Sequence, residues 1–312
     1  MKIYNDIPSF HSDRQTIVTI GTFDGVHIGH KGIIGRLVKT AHAKDCDSLI
    51  LTFFPHPRMV LSNQNDIFLL NTLEEKIALL KATGLDHLVI HPFDEAFSRL
   101  EAEEFVKTIL VDRFNVRKII IGHDHRFGRN RAADINNLKL YGKKYHFEVA
   151  QIEAQEVDHV SVSSTKIRKA LSEGDVALAN SYLGYSYFLT GTVVEGKRLG
   201  RTIGYPTANL QIDEPYKMLP KIGVYVVESI INGQAVSGMM NIGTNPTVEG
   251  QKVSIEIHYF DFDADLYGVK LQVSCLYRIR DEHKFASLQL LKEQLSKDKI
   301  SALAIINNKS DS

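Results

Sequence analysis

Hydrophobic and polar positions divide the chain into two differently patterned halves. In the first half short apolar runs alternate with stretches of helical spacing. Ile17-Val18-Thr19-Ile20 is a short buried-strand run, and Gly29 to Lys44 follows with apolar residues at Ile33, Ile34, Leu37, Val38 and Ala41. Leu49 to Phe54 predicts the next strand. Leu73 to Ala82 predicts a helix stopped by Gly84, and Leu88-Val89-Ile90 a further strand. Glu103 to Arg113 predicts a helix, and Lys118 to Ile121 a buried strand ending at Gly122. Such alternation predicts a parallel sheet with helices on both faces, in which ligands bind beyond the carboxyl ends of the strands. Ser163 to Leu171 and Val176 to Leu183 predict two short helices on either side of Gly174-Asp175.

After Gly184 the pattern becomes β-like. Thr190 to Val194, Gly223 to Ile230, Ser237 to Ile242, Ser254 to Phe260 and Lys270 to Ile279 are runs separated by Gly, Pro and Asn turns, with Asn232-Gly233 a hairpin signal. Only Phe285 to Ser296 has helical spacing there. The pattern predicts a small antiparallel barrel with a terminal helix, and a domain boundary near Gly184 to Phe188, giving domains 1–184 and 185–312.

Composition narrows the classes of function. At 312 residues the chain can bury two cores, and a formal net charge of +0 provides no field to draw it onto nucleic acid or anionic lipid. Two cysteines, Cys46 and Cys275, lie far apart without ligand or disulfide spacing, which predicts free thiols in a reducing compartment. Met1 to Arg14 has no apolar core of signal-peptide length, and no run approaches a membrane span. These features predict a cytoplasmic, two-domain protein.

The chemistry concentrates in a few segments. Gly21-Thr22-Phe23-Asp24-Gly25-Val26-His27-Ile28-Gly29-His30 leaves a strand, turns through glycines and enters a helix. A helix N-terminus offers unpaired N–H groups and partial positive charge, so it receives phosphate, and His27 and His30 add donors to that first turn. Ordinary helix capping is the plainer alternative. A metal cluster with His123, Asp124 and His125 is another, although the sequence fixes no closed ligand set. Ser163-Ser164-Thr165-Lys166-Ile167-Arg168 opens a second helix with capping hydroxyls and cations.

In the second half, Gly191 to Lys197 matches P-loop spacing up to its lysine. Arg198 replaces the hydroxyl residue, however, and no helix follows, which leaves two readings, a Gly- and Arg-rich flap over phosphates built from Gly196, Lys197, Arg198, Gly200 and Arg201, or a solvated basic hairpin. Thr207 and Asn209 in Pro206-Thr207-Ala208-Asn209 stand two apart and face one side of an extended chain. Glu256 alternates with Ile255 and Ile257 and so faces away from them.

GTFDGVHIGH followed by SSTKIR resembles the HxGH nucleotidyltransferases, specifically their FAD synthetase branch, whose first domain is Rossmann-like. TFFPHPR resembles the flavin-contacting loop of that branch, and IGHDHRFG its glycine–aspartate–phenylalanine–glycine loop. The resemblance implies that Gly21, Phe23, Ser164, Thr165 and Arg168 contact ATP and that His27 and His30 stabilise its transferring phosphates. It places Pro55, His56, Pro57, Arg58 and Asp124 near the flavin. His125, where an aromatic residue is usual, and Ala133, where glycine is usual, depart from the pattern.

GYPTAN, LPKIGVYVV, NIGTNPT, SIEIHYFDFDADLYG and IRDEHKFASLQLLKEQLSKD resemble, in order, the riboflavin kinase barrel. That implies Mg-ATP held with Thr207 and Asn209 (Thr207 at the Mg²⁺) and Glu256 as base for the terminal hydroxyl of riboflavin, and it favours the flap reading, in which Gly196 and Arg201 contact ATP. Ile257, where threonine is common, points away from the site. Riboflavin, FMN, FAD and ATP are then the substrates and products. The chemistry fits the residue types. An FMN phosphate, with a second pKa of about 6, needs no base to attack phosphorus, whereas a ribityl hydroxyl does. An HxGH enzyme acting on another substrate, or a flavin-binding regulator without turnover, remain as alternatives.

Overall fold

The structure, a computed structural model, describes residues 1–61, 67–122, 126–152, 162–196, 199–247 and 250–310. The chain divides into two compact units, Met1–Ser163 and Ser164–Ser312.

The first unit is built on six parallel strands: β1 (Lys2–Tyr4), β2 (Thr16–Ile20), β3 (Asp47–Phe53), β4 (His87–His91), β5 (Val116–Gly122) and β6 (Glu148–Ile152), in the order β1-β4-β3-β2-β5-β6. The central strands are near-continuous apolar runs because both faces are covered. Alternate residues go to opposite sides. Ile17, Ile50, Leu88 and Ile120 pack with Ile34, Leu37 and Ala41 of α1 (Ile28–Ala43). Between α1 and the next long helix comes the short α2 (Pro57–Leu61). Leu80 of α3 (Leu73–Lys81) joins that same cluster. Val18, Leu49, Leu51, Val89, Ile119 and Ile121 pack on the other face, against Val106, Ile109, Leu110 and Leu138.

The helices of that second face are α4 (Glu95–Ser98), α5 (Ala102–Glu104), a π-helical turn over Phe105–Val111, and α6 (Ile135–Tyr145). The single helix expected from Glu103 to Arg113 therefore changes pitch. The wider turn brings Phe105, Val106, Ile109 and Leu110 all onto the core. Because the strand order reverses between β2 and β5, a crevice opens beyond their carboxyl ends, the place where such sheets bind ligands.

The second unit starts with a helical pair, α7 (Ser164–Glu173) and α8 (Val176–Leu183), followed by a closed antiparallel barrel. Its strands are β7 (Phe188–Val194), β8 (Ala208–Gln211), β9 (Gly223–Ile231), β10 (Gln234–Thr247), β11 (Gly250–Tyr259) and β12 (Lys270–Arg280), in the closed order β10-β11-β8-β7-β12-β9. Asn232 and Gly233 join β9 to β10 with φ of 52° and 79°, the two positive values that a tight two-residue hairpin demands. A short helix, α9 (Leu199–Thr202), lies between β7 and β8, and α10 (Leu288–Ser310) ends the described chain. Ala302 of α10 is buried with Val226, Met239, Phe260 and Leu276 on one flank of the barrel.

Candidate active site

In the first unit the strand-to-helix turn lies at the carboxyl end of β2. The Gly21 amide donates to the Leu51 carbonyl of the neighbouring strand at 3.1 Å, and a side chain at 21 would press on the Phe23 ring. Phe23, Gly25 and Val26 all have positive φ, at 47°, 87° and 36°. For the two that are not glycine, such a conformation costs about 1–3 kcal/mol each and persists only where the surroundings impose it. Phe23 and Val26 are buried, which is part of that imposition.

His27 is the N-cap of α1, and its Nδ1 accepts the His30 amide at 3.3 Å. The proton of a neutral His27 is therefore on Nε2. The two imidazoles stack with ring centroids 3.6 Å apart, and the Phe23 ring meets His30 edge-on at 5.2 Å. Burial pushes the His27 pKa down to about 4. His30 is pushed well below its ordinary value, by burial first and then by the charges of His27 and Lys76. Both rings are thus neutral at neutral pH. His30 Nδ1 is buried with no hydrogen-bond partner among the described residues, a state that suits a bare lone pair better than an orphaned N–H and so leaves the proton on Nε2.

Behind this turn the structure reveals three groups to which sequence reasoning assigned no role of their own. Lys76, on α3, is 2% exposed and donates to the Thr22 carbonyl at 2.9 Å. The Thr52 hydroxyl reaches the same carbonyl at 3.3 Å. Asp24, 1% exposed, accepts the Leu70 amide at 3.0 Å, and its charge opposes the fall that burial imposes on the Lys76 pKa. A lysine inside an amphipathic helix reads as solvent-facing, so nothing in the sequence marks its burial.

Of the flavin-loop residues, Pro55 and Arg58 are exposed and His56 is buried, with its Nδ1 accepting the Arg58 amide at 3.1 Å where Pro57 opens α2. Asp124, with His123 and His125, lies outside the described residues. Ala133 is buried and pairs with Phe127 through two backbone hydrogen bonds of 3.1 and 3.2 Å. Ser164, Thr165 and Arg168 open α7 in the second unit, with Thr165 exposed and the other two half-buried. Among the described residues, no group of three or more His, Cys, Asp or Glu side chains could hold a metal ion.

The second unit gathers its expected residues on the outer wall of the barrel. Ile255 and Ile257 are buried in the interior, so Glu256 faces outward and is half-buried. Asn209 of β8 stands directly opposite Glu256, and Asn241 of β10 is its partner on the other side. Register partners share a face, so the three polar side chains form one row across three strands. The Thr207 hydroxyl lies 3.5 Å from Glu256 Oε2, at the outer limit of a hydrogen bond.

The loop above is fitted closely to this row. A side chain at Gly196 would overlap the Asn209 amide, and one at Gly200 the Tyr205 carbonyl. Arg201, on α9, is exposed, whereas Lys197 and Arg198 lie outside the described residues. His258, two residues along β11 from Glu256, has Nδ1 2.9 Å from the Pro206 carbonyl, which can only accept, so Nδ1 carries the proton. That bond fixes the start of the Thr207–Asn209 segment. Asn241 and the tether from His258 were not anticipated. Their positions depend on the β10–β11 and β8–β11 register, which the sequence does not print.

Comparisons with known proteins match each half of the chain to a family. A family model described as FAD synthetase matches residues 9–166, and one described as riboflavin kinase matches residues 183–306. Relatives named bifunctional riboflavin kinase/FMN adenylyltransferase include one from Escherichia coli (strain K12), 37% identical over 305 residues and 97% of each chain. Another, from Bacillus subtilis (strain 168), is 35% identical over 300 residues, covering 94% of this chain and 93% of the relative. A solved structure described as a macrolide-efflux protein from Streptococcus pneumoniae is 32% identical, covers 96% of this chain and 98% of its own, and superposes with a TM-score of 0.88. Efflux is that protein's description alone; among the described residues here, no helix is long and apolar enough to cross a membrane. With both domain families matched in order and full-length relatives at this identity, the chain belongs to the bifunctional riboflavin kinase/FMN adenylyltransferase family.

Proposed function

We propose that residues 185–312 phosphorylate riboflavin with ATP, with Glu256 as the base, and that residues 1–184 adenylylate the resulting FMN, with His27 and His30 holding the transferring phosphates. The observation that carries the reading is the outward row of Asn209, Glu256 and Asn241 beneath Gly196, with the Thr207 hydroxyl beside the carboxylate.

In the kinase step Glu256 accepts the proton of the terminal ribityl hydroxyl. The freed oxygen forms a bond to the γ-phosphorus, the bond from that phosphorus to the bridging oxygen breaks, and ADP leaves. A positioned base contributes about 10²–10⁴-fold to such a step. Gly196 and Arg201 supply close backbone approach and charge for the ATP phosphates. The Thr207 hydroxyl and the Asn209 amide oxygen are hard oxygen donors of the kind Mg²⁺ accepts together with substrate phosphates, and these two residues would hold it. When bound, the ion neutralises phosphate charge.

In the adenylylation step an FMN phosphate oxygen attacks the α-phosphorus of ATP and pyrophosphate leaves. No proton need be removed from a phosphate that is mostly dianionic at neutral pH. Neutral imidazoles with Nε2–H groups, at the start of a 16-residue helix, donate to oxygens on which charge develops. Gly21 permits close backbone approach, and the Phe23 ring covers His30. Ser164, Thr165 and Arg168 complete the ATP contacts, and Pro55, His56, Pro57, Arg58 and Asp124 the flavin contacts. Two buried thiols that form no disulfide suit the reducing cytoplasm, where the free substrates are found.

Incubation of the protein with riboflavin, ATP and Mg²⁺ and separation of the flavins over time tests the reading. FMN rises first and FAD follows. FMN alone would remove the adenylylation step, and flavin binding without ATP consumption would replace both steps with a sensing role.

A further inference from the structure

Lys76 is a buried ammonium that neither chemical step uses. A buried lysine has to recover its lost hydration from its neighbours. Its ammonium donates to the Thr22 carbonyl at 2.9 Å and feels the opposite charge of Asp24, both on the turn that delivers His27 and His30. That turn carries three positive φ angles within four residues, a geometry the chain does not adopt unless something imposes it. Lys76 spans from α3 to the start of the turn, and Asp24 ties its middle to the Leu70 amide just before α3. The contacts run between neighbouring elements, and the Lys76 charge acts on His30 at the start of α1.

We propose that Lys76 is a positioning residue for adenylyl transfer: through the Thr22 carbonyl and the Asp24 carboxylate its ammonium holds the strand-to-helix turn in the shape that aims His27 and His30 at the phosphates. The inference rests on the reading of His27 and His30 given above. It has an electrostatic corollary. The charged and titratable groups facing His30 among the described residues are His27 on its own turn and Lys76 from α3, with Asp24 facing Lys76 in turn. The Lys76 charge therefore helps to keep the His30 imidazole neutral, which is the form that donates from Nε2 and leaves Nδ1 bare.

The test is Lys76→Met in the full chain, with FAD formation from FMN and FMN formation from riboflavin measured on the same preparation. The expected result is a fall in kcat for FAD formation of about 10–100-fold, as for a misplacement of about 1 Å. KM for ATP and FMN stays within about threefold and the kinase rate is unchanged. The acid limb of FAD formation moves to higher pH, because a cation beside His30 has gone. Should Lys76→Met precipitate, Lys76→Met/Asp24→Asn leaves no buried charge uncompensated and carries the same expectations. A kcat within twofold of the parent, or a loss confined to KM, overturns the inference. His27→Asn and His30→Asn separate the two levels. If they retain full FAD formation, the reading of the imidazoles fails; if they lose it while Lys76→Met does not, only the role of Lys76 fails.

Discussion

Glu256 stands between two isoleucines that point into the barrel, flanked on its own face by Asn209 and Asn241 and approached by the Thr207 hydroxyl. Replacement by glutamine keeps the size of the side chain and one acceptor oxygen but removes its capacity to accept a proton. Glu256→Gln should lower FMN formation by about 10²–10⁴-fold, while the same preparation converts FMN to FAD at the parental rate. Loss of both rates in a folded variant would break the assignment of one step to each half. Gly196 offers a second probe, because a methyl group there would collide with the Asn209 amide. Gly196→Ala is expected to raise the KM for ATP of the kinase step roughly tenfold or more, with adenylylation unaffected, in steady-state assays of the two steps. Strand alternation in the sequence was enough to tell which way Glu256 faces. The company it keeps was not legible, since Asn241 becomes its neighbour only through the pairing of Gly238–Thr247 with Gly250–Tyr259.

At the scale of elements, the first turn of α1 stores a pH dependence. His27 titrates near 6.5 in the unfolded chain but only near 4 when buried in the fold. As pH falls the unfolded state binds the proton first, so the stability this site contributes is fully present above pH 6.5. It drains away as pH drops from 6.5 through about 4. At about 1.36 kcal/mol for each unit of pKa difference, His27 alone accounts for roughly 3 kcal/mol, and His30 acts in the same direction. Urea midpoints of the parent between pH 7.5 and 4 should therefore fall more steeply than those of His27→Asn. Parallel curves would mean that the buried imidazole is not what titrates. The elements themselves were legible where periodicity was strong: α1, β2, β3, β4 and β5 lie within a few residues of their apolar runs. Those that were missed lack that signal. β1 has three residues at the sheet edge, β8 only four after Pro206, and α6 is mostly Asn, Lys and Tyr with Leu138 and Gly142 as its buried positions. The π-helical turn was invisible because periodicity marks which residues are buried, not the pitch that buries them.

At the scale of the molecule, the change from alternating βα to β-only pattern put the boundary near Gly184, whereas the compact units divide between Ser163 and Ser164. The residues between are α7 and α8, and their bonds explain the difference. Asn180 Nδ2 donates to the Cys275 carbonyl at 2.9 Å, and Asn180 Oδ1 accepts the Tyr187 amide at 2.6 Å. The Lys221 amide donates to the Leu171 carbonyl at 2.9 Å, and a side chain at Gly174 would overlap Arg278. The pair therefore braces the barrel through β12, although pattern alone groups helices with helices. A fragment of residues 164–312 is expected to unfold in one transition and to phosphorylate riboflavin. A fragment of residues 185–312 loses the partner of the buried Tyr187 amide, at about 1–3 kcal/mol, together with the apolar cover of Ile167, Ala170, Val176, Ala179 and Leu183. Its melting temperature should be lower by roughly 10 °C or more. Equal melting temperatures and equal kinase rates for the two fragments would show that the helices only adjoin the barrel, and would return the boundary to Gly184.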